Sequence, residues 1–194
     1  MNIELVGLPC SGKTTMVQQI MAETNLFRKA RIRHKLLSVL LDPRILIHLI
    51  RLTIRIFKKN PSPMASLSRS IQLMPLPEAQ YLISEEGVIV YASAIGMDPT
   101  NTDFRYLKNN RSTLYIFLEP SETVLHKQMA KRGRLGIESS PSQAHYKVSF
   151  KERLTCFENW KAYLKKTGSE YIVFSDFEDA KLSLTVTGFV NERL

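Results

Sequence analysis

Apolar positions along the chain follow two periods. Short apolar runs at residues 3–6, 79–84, 113–118 and 171–174 have the length of strands. The run at 113–118 is unbroken, as expected of a strand covered on both faces of a parallel sheet. Between these runs the spacing becomes helical. Met16, Val17, Ile20 and Met21 predict a helix over 13–23. Ser121 is placed to cap a helix carrying Val124, Leu125 and Met129 and ending at Gly133. Phe150, Leu154, Phe157, Trp160 and Leu164 mark a long amphipathic helix stopped near Gly168, with Trp160 in the core. Leu182, Val186, Phe189 and Val190 suggest a C-terminal helix. Residues 88–95 fit either a strand or a helix, and 97–110 and 135–147 read as loops.

Residues 35–59 read as mostly helical, with Pro43 a break or a first-turn residue. Ile45, Leu46, Leu49, Leu52, Ile56 and Phe57 form one side, and Arg44, His48, Arg51 and Arg55 a polar stripe. Pro61, Pro63, Pro75 and Pro77 bracket a polar segment with one helix at 64–73, which reads as a mobile insertion. No second strand is evident between the first helix and residue 60. Strands alternating with helices predict a three-layer α/β sandwich around a mostly parallel sheet of four to five strands.

A chain of 194 residues, 44% hydrophobic and 23% charged, is sized for one domain with a core of its own. Two cysteines, Cys10 and Cys156, exclude a disulfide framework and a four-cysteine zinc site. They fit a reducing cytoplasm, and no signal-peptide pattern precedes the first strand. His34, His48, His126 and His145 are scattered without metal-ligand spacing.

The net charge of +9 is local. Residues 26–60 hold ten basic residues and one acid, Asp42; the rest of the chain holds seventeen of each sign. Three readings fit this segment. It offers positive charge to an anionic acceptor, lies as an amphipathic helix on an anionic membrane surface, or packs its apolar side and solvates its arginines. Its apolar stretches are too short and too often charged to span a bilayer. Phe27 and Phe57 stand near its ends, with no interleaved aromatics to stack bases, which argues against nucleic acid.

Gly7-Leu8-Pro9-Cys10-Ser11-Gly12-Lys13-Thr14, followed by Thr15, is a G-x-x-x-x-G-K-T loop between a strand and a helix. Its glycines permit a tight turn whose N–H groups converge on phosphate oxygens, and the following helix presents its positive end. Lys13 suits β/γ-phosphate charge and the Thr14 hydroxyl suits Mg2+. On this motif the chain resembles the P-loop NTPase superfamily, and within it the small-molecule kinases of nucleoside and nucleotide type. The guanine signature N-K-x-D and the transporter signature L-S-G-G-Q are both absent.

The resemblance implies one kinase-like domain over 1–194, with a basic helical insertion at 26–78 and a lid at 130–148. It implies ATP and Mg2+ as cofactors. Glu85, ending the strand before Glu86-Gly87, takes the acidic position that holds Mg2+ or accepts the acceptor's proton; Glu86 is expected to face elsewhere or begin the turn. Arg132 and Arg134 take the place of lid arginines on the transferring phosphoryl. Asp98 or Asp103 is the fallback base, and Arg105 a candidate acceptor contact. The expected activity is ATP-dependent phosphorylation of a small hydroxyl- or phosphate-bearing acceptor. The competing reading is a nucleotide-dependent binding module, docked on a membrane by its basic helix.

Overall fold

The structure, a computed structural model, describes residues 1–59, 62–77, 81–97, 99, 104, 113–131, 150–175, 188 and 192. Five strands, β1 (Asn2–Val6), β2 (Arg28–Lys29), β3 (Leu82–Ser84), β4 (Thr113–Glu119) and β5 (Tyr171–Ser175), form one sheet in the order β2-β3-β1-β4-β5. Every pairing is parallel. Seven helices are described: α1 (Lys13–Thr24), α2 (Ile32–Leu41), α3 (Pro43–Lys59), α4 (Pro63–Gln72), α5 (Val88–Ala94), α6 (Glu122–Lys131) and α7 (Phe150–Thr167).

The period-2 alternation of strand side chains divides the core into two layers. Leu114, Ile116 and Leu118 of β4 join Ile3 and Leu5 of β1 against Met16, Val17 and Ile20 of α1. Tyr115 and Phe117 point the other way, into the core built by α5, α7 and the helices before β3. There Trp160 is fully buried, edge-on to Phe104 at a centroid distance of 5.0 Å. The β4 run is thus covered on both faces. Ser121 Oγ accepts from Val124 N at 3.4 Å at the start of α6, and α7 gives way at Gly168, whose φ is 69°.

Three expectations change, and one open choice is resolved. A second strand exists: Arg28–Lys29 pairs with Leu82 and Ile83. Its two residues leave no alternation to detect. Residues 88–94 are helical, one of the two readings open for 88–95.

The segment after Pro61 is not a loose insertion over the described residues 62–77. Leu73 and Met74 are fully buried, Asn2 Nδ2 donates to Pro77 O at 2.7 Å, and Ser38 Oγ donates to Pro75 O at 2.9 Å. The prolines fix a path along the core rather than freeing a loop.

The predicted apolar side of α3 is split as well. Leu49, Leu52 and Ile56 are buried, whereas Leu46 and Phe57 are 44% and 40% exposed. A helix meets its neighbours over a narrower arc than its apolar residues cover.

The 130–148 lid beyond Lys131 and the C-terminal helix expected from Leu182, Val186, Phe189 and Val190 lie outside the described residues.

Candidate active site

β1 ends at Val6 and the chain curls through residues 7–12 into α1. Gly7 is obligatory for packing: a Cβ there would lie 2.5 Å from Ser11 Oγ and 2.8 Å from the Leu118 carbonyl oxygen. Gly12, at φ 86°, adopts the left-handed conformation that lets the loop enter the helix. No side-chain hydrogen bond caps α1 and no acid occupies its first turn, which leaves the positive end of the helix open to an anion. Lys13 Nζ donates to the carbonyls of Gly7 at 2.8 Å and Leu8 at 2.7 Å. Burial, reinforced by the charge of Arg153 and only partly opposed by Glu86 and Glu85, pulls the Lys13 ammonium down to about 7.

The pairing of β1 with β3 brings the acidic strand end to this loop: Ile3 stands beside Ile83 and Glu4 beside Ser84. Thr14 Oγ1 donates to Glu85 Oε2 at 2.5 Å, and Lys29 Nζ forms an ion pair with Glu85 Oε1. Burial acts to raise the Glu85 carboxyl. The hydrogen bonds from Lys29 and Thr14, with the charges of Lys29 and Lys13, outweigh it and hold the group below its ordinary value.

Of the two places expected for Glu86, it takes the one in the turn and does not face away from the cleft. The strand ends at Ser84, so Glu85 and Glu86 lie in a bend where strand alternation no longer applies. Both line the cleft over the loop, and Glu86 Oε2 accepts from Tyr91 Oη at 2.7 Å.

Two clefts share these carboxylates. One, of about 240 Å³, is lined by residues 9–14 with Glu85, Glu86, Val90 and Arg153. The other, of about 180 Å³, includes Lys29, Arg31, Lys35, Gln72 and Tyr91 beside Glu85 and Glu86. Ser11 has a buried hydroxyl with no hydrogen-bond partner among the described residues, in the loop where an anion's oxygens would supply one. Thr14 and Glu85 present two adjacent oxygens. That fits Mg2+, which takes one or two protein ligands and completes its shell with water and phosphate. Among the described residues no cluster of three or more His, Cys, Asp or Glu could cage a metal by itself.

Pattern reading alone missed three residues here. Arg153 is 4% exposed and lines the loop cleft from α7. It sits four residues before Phe157 and seven before Trp160, on the buried stripe, while Leu154, expected on that stripe, is 44% exposed. A charge at core spacing was the signal.

Glu4 is 1% exposed in the middle of β1 and accepts from Val88 N at 3.1 Å. Burial pushes its carboxyl up, against the charge of Lys35 and the Val88 hydrogen bond. A lone acid inside an apolar strand was its signal.

Lys29, counted only as part of the basic segment, is the ion-pair partner of Glu85. Arg132, Arg134, Asp98, Asp103 and Arg105 lie outside the described residues.

No family model matches the chain, and no curated protein sequence matches it. Solved structures share its fold. Deoxyadenosine kinase from M. mycoides with bound dATP is 19% identical, with 98% of this chain and 100% of that one covered at a TM-score of 0.53. The same enzyme with bound dCTP is 17% identical over 100% of both chains, at 0.50. The YorR protein of Bacillus subtilis, in complex with phosphorylated GDP, is 13% identical over 98% of this chain and 96% of that one, at 0.51. The chain therefore has the all-parallel α/β fold of P-loop kinases.

Proposed function

We propose that this protein is a nucleotide-dependent phosphotransferase that moves the γ-phosphoryl of ATP to a small anionic acceptor. The observation that carries this reading is the pair of clefts meeting at Glu85 and Glu86. A donor on the phosphate loop and an acceptor in the second cleft would face each other across these carboxylates, the proximity that transfer requires. The triphosphates bound in the deoxyadenosine kinase structures support a nucleoside triphosphate as donor.

The loop N–H groups, the start of α1, Ser11 and Lys13 would cradle the phosphates. Arg153, planar and permanently charged, would clamp them from α7, and Arg132 and Arg134 remain lid candidates. Thr14 and Glu85 would hold Mg2+, which when bound neutralises charge developing between the β- and γ-phosphates. Glu86 is placed to take the proton of an acceptor hydroxyl. The acceptor cleft is lined by Lys29, Arg31 and Lys35, so a phosphate- or carboxylate-bearing acceptor suits it. Lys35 is 5% exposed and donates to Gln72 O, which fixes one wall of that cleft.

The test is ADP release with ATP and Mg2+ across nucleosides, nucleotides, sugars and sugar acids. A phosphotransferase shows slow hydrolysis that one anionic acceptor raises, with a phosphorylated product. Nucleotide-dependent partner or vesicle binding without any phosphorylated product would instead favour the binding-module reading.

A further inference from the structure

The side of α3 turned away from the core is apolar. Leu49, Leu52 and Ile56 are buried, but Ile47, Ile50, Ile54 and Phe57, spaced three, four and three apart, are 51%, 52%, 53% and 40% exposed. Immediately before α3, Leu40 and Leu41 of α2 are 81% and 68% exposed. A monomeric soluble protein rarely leaves so many large aliphatic groups together in water. Beside this row, one helix heptad apart, run Arg44, Arg51 and Lys58, all exposed. Asp42 is the one acid in residues 26–60, and its carboxylate accepts from Arg44 N at 2.8 Å at the start of α3.

We infer that α2 and α3 form a docking surface for an anionic phospholipid bilayer, with α3 lying flat in the interface. An exposed apolar row with basic residues along one side matches the division of a bilayer surface, with acyl chains beneath and phosphate headgroups alongside. No described helix is long and apolar enough to cross a membrane, so the contact is peripheral. A second copy of the chain is a poor occupant: a face bearing Arg44, Arg51 and Lys58, with Asp42 the one acid in residues 26–60, would meet its like. The inference is independent of phosphoryl transfer, because none of the residues it uses lines either cleft.

The test is flotation of the full chain with two kinds of vesicle: phosphatidylcholine alone, and phosphatidylcholine with about 30 mol% phosphatidylglycerol. The protein should float with the anionic vesicles and not with the neutral ones. Ile50→Glu with Ile54→Glu should lower binding by at least about tenfold. These positions face solvent, and an unchanged melting temperature confirms that the variant is folded. Neutralising Arg44, Arg51 and Lys58 to Gln should weaken binding and remove most of its salt dependence. Failure to float with anionic vesicles, or equal flotation of wild type and the Ile50→Glu/Ile54→Glu variant, overturns the inference. So does a stable dimer or a complex with an acidic protein that the same variant dissolves, since the face would then belong to that partner.

Discussion

Thr14 and Glu85, 71 residues apart, are joined by a hydrogen bond of 2.5 Å from the threonine hydroxyl to the carboxylate. The contact exists because β1 and β3 are neighbours in the sheet, so the loop after one meets the bend after the other. It divides the acidic pair: Glu85 belongs with Thr14, and Glu86 with Tyr91. Glu85→Gln should therefore raise the Mg2+ concentration needed for half-maximal turnover and lower turnover by about 10²-fold or more. Glu86→Gln should lower turnover without moving the Mg2+ requirement. Mg2+ titrations of the two variants check the division; interchanged behaviour would reverse the assignment.

Lys13 gives a pH signature. Its ordinary value of 10.5 falls to about 7 in the folded chain, chiefly through burial. Between those values the unfolded chain holds a proton that the folded chain has released, so this group adds stability as pH rises through the window. A bound triphosphate favours the ammonium and restores the proton. Nucleotide binding above pH 7 should therefore take up protons, and affinity should weaken as pH rises toward 9. Calorimetry in two buffers of different ionisation enthalpy measures the uptake. Identical heats in both buffers would mean that Lys13 stays charged in the free protein.

Arg153 should behave as a phosphate clamp rather than a structural charge. Arg153→Ala is expected to cost roughly 2–5 kcal/mol of transition-state stabilisation if it removes a close, desolvated charge contact. Arg153→Lys should recover stability but little activity, because a point charge lacks the bidentate fork. Comparing kcat/KM with the melting temperature for both variants separates the roles.

Gly87 adjoins the buried acid. A Cβ at position 87 would lie 2.1 Å from Glu4 Oε2, so Gly87→Ala must displace a carboxylate held by Val88 N. A loss of about 1–3 kcal/mol is expected from the broken hydrogen bond and strained packing, read as a lower denaturant midpoint. The double variant with Glu4→Gln should not recover it, because glutamine keeps the length of the side chain. Recovery in Glu4→Ala/Gly87→Ala relative to Glu4→Ala alone would confirm that the two residues compete for one space.

The sequence made the strands flanking the site legible. β4 is a continuous apolar run, β1 is a short one interrupted by Glu4, and the glycine loop between β1 and α1 has a spacing that chance seldom produces. β2 escaped notice because two exposed basic residues, Arg28 and Lys29, carry no hydrophobic period. Its place is fixed by pairing with Leu82 and Ile83, which a linear pattern cannot reveal. Proline spacing misled for a similar reason: Leu73, Met74 and Leu76 lack regular structure yet are buried, and burial of an irregular segment leaves no periodic trace. Glu85, singled out by the resemblance and its place at a strand's carboxyl end, does meet Thr14. Arg153 was not singled out, because its role depends on α7 crossing the loop from the far end of the chain.

The most direct measurement of the central claim is transfer of the γ-phosphoryl from labelled ATP. A labelled small product is expected with at least one phosphate- or carboxylate-bearing acceptor, and Lys13→Ala should lose both the product and the ATP-induced thermal shift. Wild-type protein that binds MgATP yet labels no acceptor, releasing phosphate only to water, would contradict that claim.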